Sequence, residues 1–132
     1  MSEKNDLLTP GATKGGNGAY AFKMADLKQM DLGPTYAPTN GSVVEGERMM
    51  VGLARIPKGT ISQPHWHPNE QWMYILEGRA EMKVEGHAVV GTPGMVVYIP
   101  ANAIHEARAA GDCDLVFFTC KDATHSLQGI KV

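Results

Sequence analysis

Two histidines separated by one residue, His65 and His67, are the feature of this chain best suited to chemistry. In an extended segment, side chains alternate between two faces, so residues two apart project on the same side. Two imidazoles on one side can chelate a single divalent ion. Pro64 and Pro68 flank the pair and restrict its backbone, which lowers the entropic cost of fixing both rings. The sequence therefore favours a metal site over two unrelated surface histidines.

Glycines, prolines and a third histidine recur around this pair at regular spacings. The first stretch reads Gly59, five residues, His65-x-His67, three residues, Gln71, six residues, Gly78, and the second reads Gly94, five residues, Pro100-x-Asn102, two residues, His105. They resemble the two motifs of the cupin superfamily, G(x)5HxH(x)3–4E(x)6G and G(x)5PxG(x)2H(x)3N. The resemblance covers roughly residues 45–120. It implies an all-β, single-domain jelly-roll barrel that holds a metal ion through His65, His67, His105 and Gln71.

Three positions depart from the family pattern. Asn102 replaces a glycine, and asparagine is well tolerated at positive φ, so the turn is expected to survive. Ala109 replaces the closing asparagine, a position interpreted as structural. Gln71 stands where the motif has a glutamate ligand. A neutral carboxamide leaves more positive charge on the metal, which favours Lewis-acid chemistry over stabilisation of an oxidised centre.

Glu70 is the alternative fourth ligand, because a loop one residue tighter than the family pattern would bring it to the metal. Gln71 is preferred, since its distance along the chain from Gly78 matches the motif and Glu70 then projects to the opposite face. His87, on a hairpin tip, and His125, in the C-terminal segment, are interpreted as surface residues.

Short β-type runs separated by Gly- and Pro-containing turns fill most of the chain, which is typical of a sandwich or barrel. The predicted strands include 48–56, 71–76, 80–84, 88–90, 95–99, 104–109 and 114–120. The division predicted is a flexible, glycine-rich tail over residues 1–18 and a barrel domain over 19–132, with its core motifs at 59–109.

Alternation along these strands predicts the wall of the substrate pocket. With Gln71 inward, Trp72 and Tyr74 face outward. The candidate pocket residues are Met49, Val51, Leu53, Arg55, Met73, Ile75, Met82, Val97 and Phe117. Arg55 shares the parity of Met49 and could pair with a substrate carboxylate at the pocket mouth, although a surface arginine at a strand end remains the alternative.

Composition excludes several classes of partner. The 132 residues carry a net charge of −2 with both signs interspersed, which argues against nucleic acid and anionic membranes. No apolar run is long enough for a membrane span, and the N-terminus does not have the pattern of a signal peptide. Cys113 and Cys120 lack a zinc or redox spacing, and we predict a cytoplasmic protein. Small family members form dimers, so a homodimer with residues 19–45 packed on the partner is expected.

The function predicted is a metal-dependent enzyme with one divalent ion per chain, of which Ni, Zn, Fe, Mn and Cu all fit the ligands. The expected chemistry is non-oxidative acid–base catalysis of the isomerase, cyclase or lyase type on a small carbonyl- or hydroxyl-bearing molecule. A sugar acid or a polyketide-like molecule is suggested only by the family resemblance. The alternatives are an Fe(II)-dependent cupin dioxygenase and a non-catalytic module that binds metal or small molecules.

Overall fold

The computed structural model describes residues 7–132, in which nearly all regular structure is β. A turn of 3-10 helix spans Met24–Asp26. The strands are β1 (Thr13–Lys14), β2 (Met30–Asp31), β3 (Asn40–Glu45), β4 (Met49–Ile56), β5 (His65–Trp66), β6 (Gln71–Glu77), β7 (Ala80–Val84), β8 (His87–Gly91), β9 (Val96–Ile99), β10 (His105–Ala109), β11 (Leu115–Asp122) and β12 (Ile130–Lys131). The strands predicted between residues 48 and 120 are therefore confirmed. No helix of residues 7–132 is long and apolar enough to cross a membrane.

Two sheets form the barrel. One has the order β1-β3-β4-β11-β6-β9, with β2 also paired to β3, and the other has the order β12-β5-β10-β7-β8. Strands far apart in sequence lie side by side, as where β11 runs antiparallel between β4 and β6. The chain crosses repeatedly from one sheet to the other, which is the connectivity of the predicted jelly roll.

Turns with left-handed backbone conformations allow these crossings. Gly78 ends β6 with φ of +83°, and a Cβ there would lie 2.6 Å from the carbonyl oxygen of Asp114. Only glycine fits such a position without displacing the neighbouring backbone. Asn102 adopts φ of +66°, so the expectation that the turn survives with asparagine in place of the motif glycine is confirmed.

The facing of β4 corrects part of the predicted pocket. Its buried side chains are Met50, Ala54 and Ile56, whereas the predicted set points outward. Met49 is 57% exposed, Val51 and Leu53 are half-buried, and Arg55 forms an exposed ion pair with Asp114 at 3.0 Å. Both faces of β4 carry apolar residues, so hydrophobicity alone could not identify the inner one. The surface alternative for Arg55 is the one observed.

The N-terminal segment packs on the barrel over its described part. Residues 1–6 of the predicted flexible tail lie outside the described residues. Thr9 is fully buried, and its backbone N–H donates to Glu45 Oε2 at 2.7 Å. β1 pairs with β3 in parallel, and β2 pairs with β3 antiparallel. Within the described residues, the structure therefore shows no change at residue 18 from a loose tail to a packed domain.

Candidate metal centre

Three histidines from two distant parts of the chain meet inside the barrel. His65 on β5 and His105 on β10 are register partners in the five-stranded sheet, and His67 follows directly after β5. The ring centroids of His65 and His105 are 4.2 Å apart, and those of His67 and His105 are 4.8 Å apart. All three side chains are buried. The structure thus brings together the three histidines that the motifs singled out.

A backbone carbonyl orients each imidazole ring. His65 Nδ1 lies 2.8 Å from Gln63 O, His67 Nδ1 lies 2.9 Å from Asn69 O, and His105 Nδ1 lies 2.8 Å from Ala103 O. A carbonyl oxygen only accepts, so each Nδ1 carries the proton and donates it. Each neutral ring therefore keeps its lone pair on Nε2. Metal-binding histidines typically show this arrangement, in which the second nitrogen is anchored by a carbonyl.

Burial keeps these rings neutral. Desolvation lowers the pKa of His65 and of His67 to about 4 and the pKa of His105 to about 3. A charged imidazolium would lose its hydration in this environment, so the neutral form is favoured. The rings are consequently unprotonated at Nε2 at neutral pH, which is the form that binds a metal ion.

The amide of Gln71 faces one of these lone pairs. The Thr119 hydroxyl donates its proton to Trp72 O at 3.0 Å and accepts a hydrogen bond from Gln71 Nε2 at 2.8 Å. This contact leaves Gln71 Oε1 pointing at His67 Nε2, 3.0 Å away. Because the His67 proton is on Nδ1, two electron-pair donors face one another in a buried position. Without a cation beside them, this contact would be repulsive.

Glu70, the alternative ligand, points away from the cavity. Its carboxylate accepts a hydrogen bond from the hydroxyl of Tyr98 on the outer face of the seven-stranded sheet. Its backbone N–H donates to Asp122 Oδ2 at 2.6 Å. Of the two neighbouring candidates, Gln71 is therefore the one directed at the histidines.

The donor set fits a divalent ion. Two ligands that each bind an ion at about 2.1 Å, at a right angle, lie about 3.0 Å apart. This separation equals the 3.0 Å between His67 Nε2 and Gln71 Oε1. Within residues 7–132, no group of three or more His, Cys, Asp or Glu side chains is already closed around one ion position.

A mainly apolar cavity of about 70 Å³ adjoins this group. Three predicted pocket residues, Met73, Met82 and Phe117, line it together with Ala54, Ile56 and Ile99. Ile75 and Val97 are buried in the core but do not line the cavity, and both pack under Gly91. The prediction of these two as pocket residues is therefore corrected. Alternation predicts the face of a strand on which a side chain lies, but not whether its position along the strand is beside the cavity.

Among the cavity-wall residues that sequence reasoning missed, two either contact a candidate ligand or carry an ionisable group. Tyr36 stacks on His65 with ring centroids 3.9 Å apart, and its hydroxyl accepts the Gly129 N–H at 2.7 Å. Lys121 lines the same cavity, and burial lowers the pKa of its amine to about 7. Lys121 could have been found from its parity with Phe117 on β11, whereas Tyr36 lies outside the regular strands and offers no periodic signal.

The family model described as a cupin domain matches residues 52–120 of the chain. This stretch contains the whole motif pattern from Gly59 to His105 and more than half of the chain. The protein therefore belongs to the cupin domain family, and the identification suggested by the motifs is confirmed.

Among characterised proteins, the chain is similar to two named dioxygenases. It is 26% identical over 132 residues to the 5-nitrosalicylic acid 1,2-dioxygenase of Bradyrhizobium sp, covering 89% of this chain and 64% of that protein. It is 29% identical over 112 residues to the quercetin 2,3-dioxygenase of Bacillus subtilis, covering 68% of this chain and 32% of that protein. The chain thus spans less than two thirds of either relative.

A solved structure also shares the fold. KdgF from Halomonas sp. superposes with a TM-score of 0.65 at 21% sequence identity, covering 76% of this chain and 92% of that one. At this identity, the similarity supports the barrel architecture alone.

Proposed function

We propose that this protein is a metal-dependent cupin enzyme that binds one divalent ion through His65, His67, His105 and Gln71. The proposed chemistry is non-oxidative acid–base catalysis, of the isomerase, cyclase or lyase type, on a small carbonyl- or hydroxyl-bearing molecule. The observation that carries the proposal is the pair of buried electron-pair donors, His67 Nε2 and Gln71 Oε1, at 3.0 Å. Ni, Zn, Fe, Mn and Cu all suit this donor set.

The four proposed ligands are electrically neutral, and this property determines the chemistry expected. An ion held by them supplies Lewis acidity toward a substrate oxygen, undiminished by a carboxylate ligand. Met73, Met82 and Phe117 give the cavity a largely apolar wall, which lowers the local dielectric constant and strengthens electrostatic interactions there. Tyr36 stacks on His65 and, together with Gln63 O, holds that ring in place.

An Fe(II)-dependent dioxygenase is the second candidate, and the names of the two relatives in Bradyrhizobium and Bacillus favour it. Both proteins are longer than this chain, so their reactions suggest an activity to test and do not establish the activity of this chain. The two candidates differ in a single requirement, which is molecular oxygen as a reactant.

Turnover is therefore expected to persist under strict anaerobiosis with Zn²⁺ or Ni²⁺ in place of iron. The assay incubates the protein with a panel of small hydroxy and oxo acids and follows each compound by NMR. The expected product is an isomer, a cyclised form or an elimination product with no oxygen added. Turnover that requires both iron and oxygen, with oxygen uptake matching product, would instead establish the dioxygenase.

We also propose that the protein is a homodimer. The outer face of the seven-stranded sheet exposes Trp72, Tyr74, Leu76, Tyr98 and Phe118, each more than a third exposed and together called the aromatic face. A large aromatic side chain buries about 150–250 Å² when covered. These side chains are already partly covered, so burying their exposed part removes a few hundred Å² of apolar surface per chain, a substantial share of the roughly 800 Å² that each partner buries in a standard interface. The sequence predicted that residues 19–45, which include β2 and β3, pack on the partner. In this structure β2 pairs with β3, and β3 pairs with β4 of the same chain.

The double substitution Tyr74→Arg and Leu76→Arg is expected to convert the dimer into a monomer at micromolar concentration. Two buried guanidinium groups without partners would oppose association. Multi-angle light scattering gives the mass directly. Ile61→Arg is the matched control, because Ile61 is 57% exposed and lies away from the aromatic face, against Arg108 of the five-stranded sheet. A wild-type monomer, or a dimer that survives the double substitution, would disprove this interface.

A further inference from the structure

Lys121 is an ionisable side chain at the cavity wall that the proposed metal site does not use. It lies on the inner face of β11, opposite Gln71 on β6, and is 5% exposed. Its Nζ donates one hydrogen bond, to Leu127 O at 2.5 Å. An ammonium group has three N–H donors and a neutral amine has two. At least one donor at Nζ therefore has no acceptor among residues 7–132.

No carboxylate of the described residues forms an ion pair with this amine. The ion pairs of residues 7–132 involve Arg55, Arg79 and Arg108, and Lys121 forms none. Asp122 is its neighbour in sequence, but the Asp122 carboxylate binds the N–H of Glu70 and the hydroxyl of Thr124. No Asp or Glu of residues 7–132 lines the cavity. A cation at the neutral His and Gln donors would therefore add positive charge to a cavity whose wall carries the Lys121 amine and no carboxylate.

An anionic ligand would accept the unused hydrogen bond of Lys121 Nζ and would supply the negative charge that the cavity wall lacks. We propose that the cavity binds a small hydroxy or oxo acid, with the carboxylate of that acid accepting hydrogen bonds from Lys121 Nζ. This inference rests on the proposed metal site for the second contact, in which the hydroxyl or carbonyl oxygen of the acid faces His65, His67, His105 and Gln71. A buried ammonium paired with a carboxylate regains the interactions that it lost on leaving water.

The size of the cavity limits the acid. A water molecule occupies about 30 Å³ in the liquid, so the 70 Å³ of this cavity corresponds to about two water molecules. A cavity of this size favours the smallest hydroxy and oxo acids. Lactate and pyruvate are suitable probes, and lactamide and pyruvamide are neutral amides of nearly the same shape.

Isothermal titration calorimetry of these four compounds tests the proposal. The proteins compared are wild type, Lys121→Met, which keeps the length of the side chain without its amine, and Lys121→Gln, which retains a donor for Leu127 O. Lys83→Met is the control, since Lys83 is exposed on β7. Circular dichroism and thermal melting establish that each variant folds. Each titration is run with Zn²⁺ and on metal-free protein.

Wild type and Lys83→Met are expected to bind at least one acid ten-fold or more tightly than its amide. Both Lys121 variants are expected to lose this preference. An acid-to-amide ratio that is unchanged by the Lys121 substitutions would overturn the proposal, as would failure of wild type to prefer either acid. Zinc content is measured separately by elemental analysis. A protein that takes up no zinc but retains the Lys121-dependent preference would refute the metal site while supporting the carboxylate contact.

Discussion

Replacing His65, His67 and His105 together with alanine is expected to reduce the divalent metal in the purified protein from about one ion per chain to none. Each ring contributes one neutral Nε2 donor whose orientation is set by a backbone carbonyl. A single replacement is expected to weaken binding by about 100-fold or more, because losing even an outer contact of a metal ligand costs 10–100-fold. Elemental analysis after dialysis against metal-free buffer measures the loss.

His87→Ala is the control for this experiment, because His87 is exposed at the start of β8. That variant should keep the metal content of wild type. A saturating ion should also stabilise wild type but not the triple variant, by about 2.7 kcal/mol at an ion concentration 100 times the dissociation constant. Equal metal content in wild type and in a folded triple variant would show that the histidines do not bind the ion.

The substitution Gln71→Glu is expected to tighten metal binding at least ten-fold, which corresponds to about 1.4 kcal/mol. A carboxylate at the position of Gln71 Oε1 would place a negative charge beside the ion, where wild type has a neutral amide oxygen. The same change removes the N–H that Gln71 donates to Thr119, so the metal-free variant should be less stable than wild type. Competition with a chromogenic chelator measures the affinity, and thermal melting of the metal-free proteins measures the stability.

Two further variants complete this comparison. Gln71→Ala removes the fourth donor and is expected to weaken binding, whereas Glu70→Gln changes a carboxylate on the outer face and should leave affinity unchanged. If neither Gln71 substitution alters metal affinity, Gln71 is not a ligand. If Glu70→Gln alone weakens binding, the alternative register of the loop after His67 is the correct one.

The strands and the candidate ligands were accessible from sequence because both depend on short-range periodicity. Residues two apart share a face of a strand, so the spacing of His65 and His67 indicated that their rings project together. The distance from Gln71 to Gly78 selected Gln71 over Glu70, and the structure directs those two side chains to opposite faces. Positive φ at Asn102 followed from the tolerance of asparagine for that conformation.

Which face of a strand is the inner one depended on the packing of the two sheets. On β4 the residues at both parities are apolar, and the predicted set of Met49, Val51, Leu53 and Arg55 proved to be the outer one. Hydrophobic alternation identifies a buried face only when the other face is polar. The outer face of this sheet is unusually apolar, as Trp72 and Tyr74 also show.

From sequence alone, this chain is a cupin with a three-histidine motif and a glutamine in place of the family's glutamate. Only the tertiary structure decided the environment of that motif. The rings are held as Nδ1–H tautomers by carbonyls of Gln63, Asn69 and Ala103, a detail that depends on backbone geometry. Lys121 reaches the cavity because β11 lies between β4 and β6, and that pairing joins residues about 40 to 70 positions apart in the sequence. Local patterns determine which way a side chain points along its own strand, whereas long-range strand pairing determines what it meets there.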